Sequence, residues 1–326
     1  MASPVRVAFI GAGSLANSRH YPSVKSLPDA ELVALCDLVP EKARATAERW
    51  GVPRVYQDYK QLLAEVDPQA VYVIMPPQHL FEPVVAVLQQ GRHLFIEKPP
   101  GLTTLQTRVF AQYAEQHGCL TMVGFQRRFI PAMTALRQRV EARGPIHTVA
   151  VSFLKSTRDL QQQAGLYGGV IDPLTCDGIH AVDNLRWLAG GEVERVASHV
   201  RTRYVPGPAA NAVVAQVEFS SGAVGHLHFS YVTGRRIFRA EIHGQNITAY
   251  VDADRESYIV ADDREPERVP SRTFGEAAGG KEEHWLGFWH EHRHFLDCIQ
   301  ERRQPSSCFQ DAVKTMELVE RIYQGR

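Results

Sequence analysis

Three places in the chain carry residue types at spacings that chemistry can use. The first is Gly11-Ala12-Gly13-Ser14-Leu15-Ala16, directly behind the apolar run Val5–Ile10. Such a turn fits a dinucleotide. Gly11 permits a tight bend, Gly13 lets the backbone approach a pyrophosphate, and Ala16 allows close helix–strand packing, with the helix start at Ser14 and Leu15 facing the phosphates. A second apolar run ends at Asp37, 24 residues after Gly13. A carboxylate there can accept hydrogen bonds from ribose hydroxyls, and its charge would repel a 2′-phosphate, so NAD is expected rather than NADP. The second place is Lys98, behind the run His93–Glu97 and before Pro99. A lysine at the carboxyl end of a parallel strand stands on the side of an open α/β sheet where ligands bind.

The third place is His290-Glu291-His292-Arg293-His294, which reads as His-Glu-x-x-His. On a helix this is the pattern of zinc metalloproteases, two imidazoles on one face with a glutamate to activate water. Phe288, Leu296 and Ile299 instead make an ordinary amphipathic helix. No histidine follows His294, and Asp297 and Glu301 are poorly separated from the pair. The motif is set aside and no metal is expected. Nearby Trp285, Trp289 and His284 could line a substrate cleft or a subunit contact.

The elements that must position these groups follow from periodicity. Up to Gly124, short apolar runs (5–10, 30–36, 70–75, 93–96 and 119–124) alternate with amphipathic stretches of helical length, which implies a parallel sheet covered by helices on both faces. After a helix over 131–142 the pattern changes to long alternating runs at 146–154, 193–204, 212–219, 224–232, 238–243 and 246–251, an antiparallel sheet with one face on helices. Those helices are expected near 178–188, 282–301 and 311–323, and 262–280 reads as a polar surface loop. The predicted fold is therefore α/β: a doubly wound Rossmann domain over 1–124, then a C-terminal α+β domain over 125–326 with a large open, mostly antiparallel sheet.

Composition excludes several classes of partner. The 326 residues include 36 Lys plus Arg and 36 Asp plus Glu, so there is no net charge to attract nucleic acid or an anionic membrane. No apolar run approaches the ~20 residues that span a bilayer, and the N-terminus has no signal-peptide pattern. Five cysteines without a C-x-x-C pair suit a reducing compartment, so a cytoplasmic protein is expected.

His93-Leu94-Phe95-Ile96-Glu97-Lys98-Pro99 resembles the Glu-Lys-Pro mark of the Gfo/Idh/MocA oxidoreductases. So do the glycine turn, Pro76-Pro77, Gly124-Phe125-Gln126-Arg127-Arg128-Phe129, Gly178-Ile179-His180-Ala181-Val182-Asp183 and the closing Phe295 to Tyr323 segment. The resemblance covers nearly the whole chain. It implies hydride transfer between NAD and a secondary alcohol of a sugar, inositol or related polyol, with nicotinamide and substrate in a cleft between two domains. By the same resemblance Lys98 contacts the substrate hydroxyl and the nicotinamide ribose, and His180 is the general base. Such chemistry needs a base for the hydroxyl proton and a cation for the developing alkoxide. Pro76, Pro77, His79, Glu97, Gln126 and Arg127 would border the cofactor, and Arg127, Tyr167, Cys176 and Asp177 the substrate.

The chain departs from the family pattern at Cys176, where Asp-x-Gly-x-His is usual, and an acid follows one position later at Asp177. Asp177 either orients His180, three residues on, or caps the following helix. His180 itself has a rival reading as a hydrogen-bonded core histidine, and Asp183 is expected to hold the helix or the imidazole. Met75 stands where the family commonly has Thr. Two other functions stay open: an NAD-retaining glycoside hydrolase and a catalytically silent sensor. The half-exposed sheet leads to the expectation of a homodimer or homotetramer.

Overall fold

The structure is a computed structural model that describes residues 3–159, 172–204, 210–270 and 280–325. It divides into two compact units, one built from the chain up to Phe125 together with Phe288–Val313, the other from Gln126–Gly287 together with the chain from Lys314 onward. The second domain of the sequence reading runs unbroken from 125 to 326. In the structure residues 288–313 instead pack with the first unit.

The first unit holds a six-stranded parallel sheet of β1 (Val5–Ile10), β2 (Ala30–Cys36), β3 (Val55–Tyr56), β4 (Ala70–Val73), β5 (His93–Glu97) and β6 (Thr121–Gly124), in the order β3-β2-β1-β4-β5-β6. Val7, Ala8 and Phe9 of β1 and all of β4 are buried, as strands covered on both faces must be. Its helices are α1 (Tyr21–Lys25), α2 (Pro40–Trp50), α3 (Tyr59–Glu65), α4 (Phe81–Gln89) and α5 (Thr104–Gln116). The strand order reverses between β1 and β4, the switch point where an open α/β sheet leaves a crevice at its carboxyl edge. Asp37, Pro76-Pro77 and Lys98 all lie just past strand ends on that edge, as does the glycine turn. The returning chain closes the far side of the sheet: Ser307 exchanges bonds of 2.9 Å with Val123, and the Phe309 N–H reaches Thr121 Oγ1 at 3.2 Å. The edge of β6 is thereby covered.

The second unit holds eight strands: β7 (Thr148–Leu154), β8 (Val193–Arg201), β9 (Ala212–Phe219), β10 (Val224–Ser230), β11 (Ile237–Gly244), β12 (Ile247–Asp252), β13 (Glu256–Ala261) and β14 (Glu267–Pro270). Their order is β14-β13-β12-β11-β7-β10-β9-β8, and all neighbours are antiparallel except β7 and β10. Burial alternates along β9 and β10, so one face is covered, by α6 (Pro131–Glu141) and α7 (Ile179–Ala189). Two expectations change here. The surface loop expected over 262–280 contains β14, which pairs with β13 by placing Glu256 opposite Pro270; its 271–279 part lies outside the described residues. The helix expected over 282–301 is two, α8 (Glu282–Trp285) and α9 (Phe288–Glu301). Between them Gly287 takes φ +93°, where an added Cβ would stand 2.3 Å from the Gln126 carbonyl oxygen. The last helix, α10, runs over Phe309–Gln324. No helix among the described residues is long and apolar enough to cross a membrane.

Candidate active site

The glycine turn is built as the sequence requires. Gly11 has φ +121°, and a Cβ there would fall 2.0 Å from the Ile74 carbonyl oxygen, so only glycine lets β1 turn beside β4. At Gly13 an added Cβ meets nothing within 4 Å, which leaves open space for a phosphate to come against the backbone. Ser14 and Leu15 are exposed where the helical turns begin that lead through Ala16–His20 into α1. Asp37 Oδ2 accepts the Ala12 N–H at 2.8 Å and Oδ1 the Val39 N–H at 2.9 Å. Each oxygen keeps a further lone pair for a ribose hydroxyl. Sequence reasoning missed Asn17, whose amide donates to Ala12 O and Thr46 Oγ1, both at 2.9 Å, while its oxygen accepts from Trp50 Nε1 at 2.9 Å. It ties the turn to α2, and an asparagine behind a glycine turn carries no signal of this. Past β4, Pro77–His79 form a 3-10 turn with Pro76 and His79 exposed. These residues fit a bound dinucleotide.

At the end of β5, Lys98 is half-buried, and the Lys98–Pro99 peptide is cis. Glu97 faces inward. Its Oε2 accepts the Lys98 N–H at 3.0 Å, and its Oε1 stands 3.0 Å from Nε2 of His20, a fully buried residue that the sequence did not flag. The His-Glu-x-x-His residues separate on α9. His294 Nε2 accepts the Ser306 N–H at 3.2 Å, Arg293 pairs with Asp29, and Glu291 and His292 turn into the core beside His20. Trp289 Nε1 donates to Ser26 Oγ at 3.0 Å, and His284 is buried.

In the second unit, a π-helical turn over Leu174–Gly178 leads into α7 and carries Cys176 and Asp177. Asp172 Oδ1 accepts the Thr175 N–H at 2.9 Å at the start of the turn, and Gly178 occupies the N-cap of α7, so neither cap position is Asp177. Its carboxylate instead pairs with Lys155 and accepts the Tyr231 hydroxyl at 2.5 Å. Burial, then the Asp177 charge, pushes the Tyr231 phenol far up, so it stays a donor. The Arg127 guanidinium lies 3.9 Å from the Phe238 ring centroid and 5.0 Å from that of Phe153. Burial and Arg236 bring its pKa down to about 10, which leaves it charged at neutral pH. His180 is 4% exposed, its ring centroid 6.5 Å from that of Phe153 in a T-shaped arrangement. Gln126 is half-buried, Cys176 is fully buried, and Tyr167 lies outside the described residues. Asp183 takes Arg128 on both oxygens.

The sequence profile of an oxidoreductase family with an NAD-binding Rossmann fold matches residues 5–125, and the C-terminal-domain profile of the same family matches 135–250. The chain belongs to the Gfo/Idh/MocA family. This family member is 32% identical over 195 residues to a D-glucoside 3-dehydrogenase of Escherichia coli, covering 58% of this chain and 55% of that one. It is 28% identical over 269 residues to the NAD(+)-dependent scyllo-inositol 2-dehydrogenase of Bacillus subtilis, covering 79% and 77%. A levoglucosan dehydrogenase solved with NADH has the same fold, with a TM-score of 0.86 over 99% of this chain and 97% of that one at 21% identity. The family member is thus an oxidoreductase with an NAD-binding domain, as the glycine turn and Asp37 indicate.

Proposed function

We infer that the protein is an NAD-dependent dehydrogenase that oxidises a secondary alcohol of a sugar, inositol or related polyol, or runs the reverse reduction. The observation that carries this reading is the carboxyl edge of the parallel sheet. It joins an open glycine turn, an anchored acid at Asp37 and a lysine, in a chain with relatives named as glucoside and inositol dehydrogenases. Bound NAD supplies the hydride acceptor. Gly13, Ser14 and Leu15 hold its pyrophosphate and Asp37 its ribose, where that charge disfavours a 2′-phosphate. Lys98 Nζ meets the reacting hydroxyl and stabilises the oxygen as it becomes an alkoxide. His180 takes the hydroxyl proton. Asp177 acts through its neighbours, keeping Lys155 and Tyr231 aligned as donors for substrate hydroxyls. Cysteines outside any disulfide suit a cytoplasmic enzyme, and the exposed face of the second sheet, where Val214 is 53% exposed, suits a homodimer or homotetramer.

The test is absorbance at the reduced-nicotinamide wavelength with NAD, and separately NADP, against a panel of inositols, aldoses, amino sugars and sugar acids. Reduction of NAD by one group is expected. Silence across the panel with NAD binding demonstrated would overturn the reading. Lys98→Met and His180→Ala should each lower turnover ~100-fold or more and leave NAD affinity intact. An unchanged rate in either removes that residue from the mechanism.

A further inference from the structure

We propose that His20 and His292 are positioning residues: they hold the Glu97 carboxylate, and through it the backbone of Lys98. The inference rests on the role given to Lys98 above. His20 ends the helical turns that open at the cofactor turn, so one side chain links the glycine turn to the lysine-bearing end of β5. Its Nε2 stands 3.0 Å from Glu97 Oε1, a close contact that falls short of a linear hydrogen bond, while Glu97 Oε2 takes the Lys98 N–H at 3.0 Å. On the other side, His20 Nδ1 lies 3.0 Å from His292 Nε2.

A carboxylate only accepts, so the 3.0 Å approach of Glu97 favours the tautomer with an Nε2–H on His20, in which Nδ1 accepts the Nε2–H of His292. Both imidazoles are 0% exposed and wedged among rings: His20 beside Phe95 and Phe288, His292 beside Phe95 and Tyr72. They cannot swing away without opening the core. Burial, with His20 adding to it, holds the His292 pKa well below its usual value, so the imidazole stays neutral and serves as a donor. Opposite Glu97 in the β5–β6 register stands Gly124, where a Cβ would come 3.2 Å from Oε1. The sheet keeps a side-chain-sized gap there for this carboxylate.

The same residues contain a set of metal donors, since ligand atoms of His20, Glu291 and His292 lie within 4.8 Å of one another. The spacing favours the hydrogen bond between the two imidazoles. Two imidazole nitrogens sharing a tetrahedral zinc at about 2.0–2.1 Å would stand ~3.3 Å apart, whereas 3.0 Å is an N–H···N distance.

The experiment compares His20→Leu, His20→Gln and Lys98→Met in the full chain, with kcat, KM and Tm for each, and metal analysis of the wild-type protein. A misplaced reacting group costs rate before it costs binding. His20→Leu should therefore lose ~10-fold or more in kcat with the substrate KM little changed. His20→Gln keeps an N–H near the position of Nε2 and should restore most of the rate. If Lys98→Met is inactive while His20→Leu keeps full kcat, the positioning role falls and the catalytic lysine stands. Should Lys98→Met keep full rate, both fall. Stoichiometric zinc or another divalent metal in the wild type would overturn the proposal. Should neither His20 variant fold, 15N-histidine spectra of the wild type decide: protonation of His20 at Nε2 supports the chain, and protonation at Nδ1 sinks it.

Discussion

The carboxylate of Asp37 accepts the backbone N–H of Ala12 at 2.8 Å, which makes the acid expected to read the ribose also a strut of the glycine turn. Removing it should do two kinds of damage. Asp37→Ala is expected to weaken NAD ~10- to 100-fold, about one charge-assisted hydrogen bond, and to lessen the preference over NADP. Asp37→Asn keeps an acceptor for Ala12 and should fall between. Calorimetric titration with both cofactors checks this, and a variant that still strongly prefers NAD would show that the discrimination resides elsewhere.

Gly11 and Gly13 are expected to respond in opposite ways to the same substitution. Gly11→Ala drives a Cβ into the Ile74 carbonyl at a left-handed φ, so the unit should lose about 3 kcal/mol or more and show it in thermal unfolding. Gly13→Ala meets no protein atom and should leave Tm where it is while NAD binding collapses, because the added methyl occupies the approach to the phosphates. Equal Tm losses in both would mean that Gly13 is structural.

Much of the fold is legible in the sequence because its signals are local. The runs of β1 and β2 are near-continuous and apolar, and those of β9 and β10 alternate with period two. Two-residue β3 is too short to have a period. The polar Glu267–Pro270 looks like loop, since its pairing with β13 depends on a neighbour rather than on its own pattern. In the site, Gly11, Gly13, Asp37 and Lys98 can be read from motif context. His20, Asn17, Lys155 and Tyr231 cannot, because their partners carry no motif or lie far along the chain, from 22 residues between Lys155 and Asp177 to 272 between His20 and His292. The return of residues 288–313 to the first unit is a tertiary fact without a sequence signature.

Arg128 and Asp183 form an ion pair whose side chains are 2% and 0% exposed, and Thr315 adds a hydroxyl to the same carboxylate at 3.1 Å. Breaking one half of such a pair leaves the other charge buried without its counterion. Asp183→Asn should destabilise the second unit by about 3–5 kcal/mol, read as a lower denaturant midpoint with unchanged slope. A loss within error would mean that the pair's desolvation cost offsets its attraction and that Arg128 reaches solvent in the variant.

The buried acid of α9 gives a pH-dependent prediction. Burial, then the neighbouring Glu97, raises the pKa of Glu291 well above 4.5, and burial lowers that of His292 well below 6.5. Above about pH 4.5 the unfolded chain releases the Glu291 proton while the fold retains it, so this group takes stability away as pH rises. His292 acts in the other sense: below about pH 6.5 the unfolded chain binds a proton that the fold refuses, so stability is lost as pH falls. Between these values the two slopes oppose each other. Above pH 6.5 only Glu291 remains, with a slope of about 1.4 kcal/mol per pH unit for one proton. Glu291→Gln removes that slope and should make the protein increasingly more stable than wild type as pH rises above about 4.5, with little difference near pH 4.5. Thermal unfolding of both proteins across pH 5–9 measures it. Parallel curves would mean that Glu291 is ionised in the fold, and that a buried cation or a rearranged His292 compensates its charge.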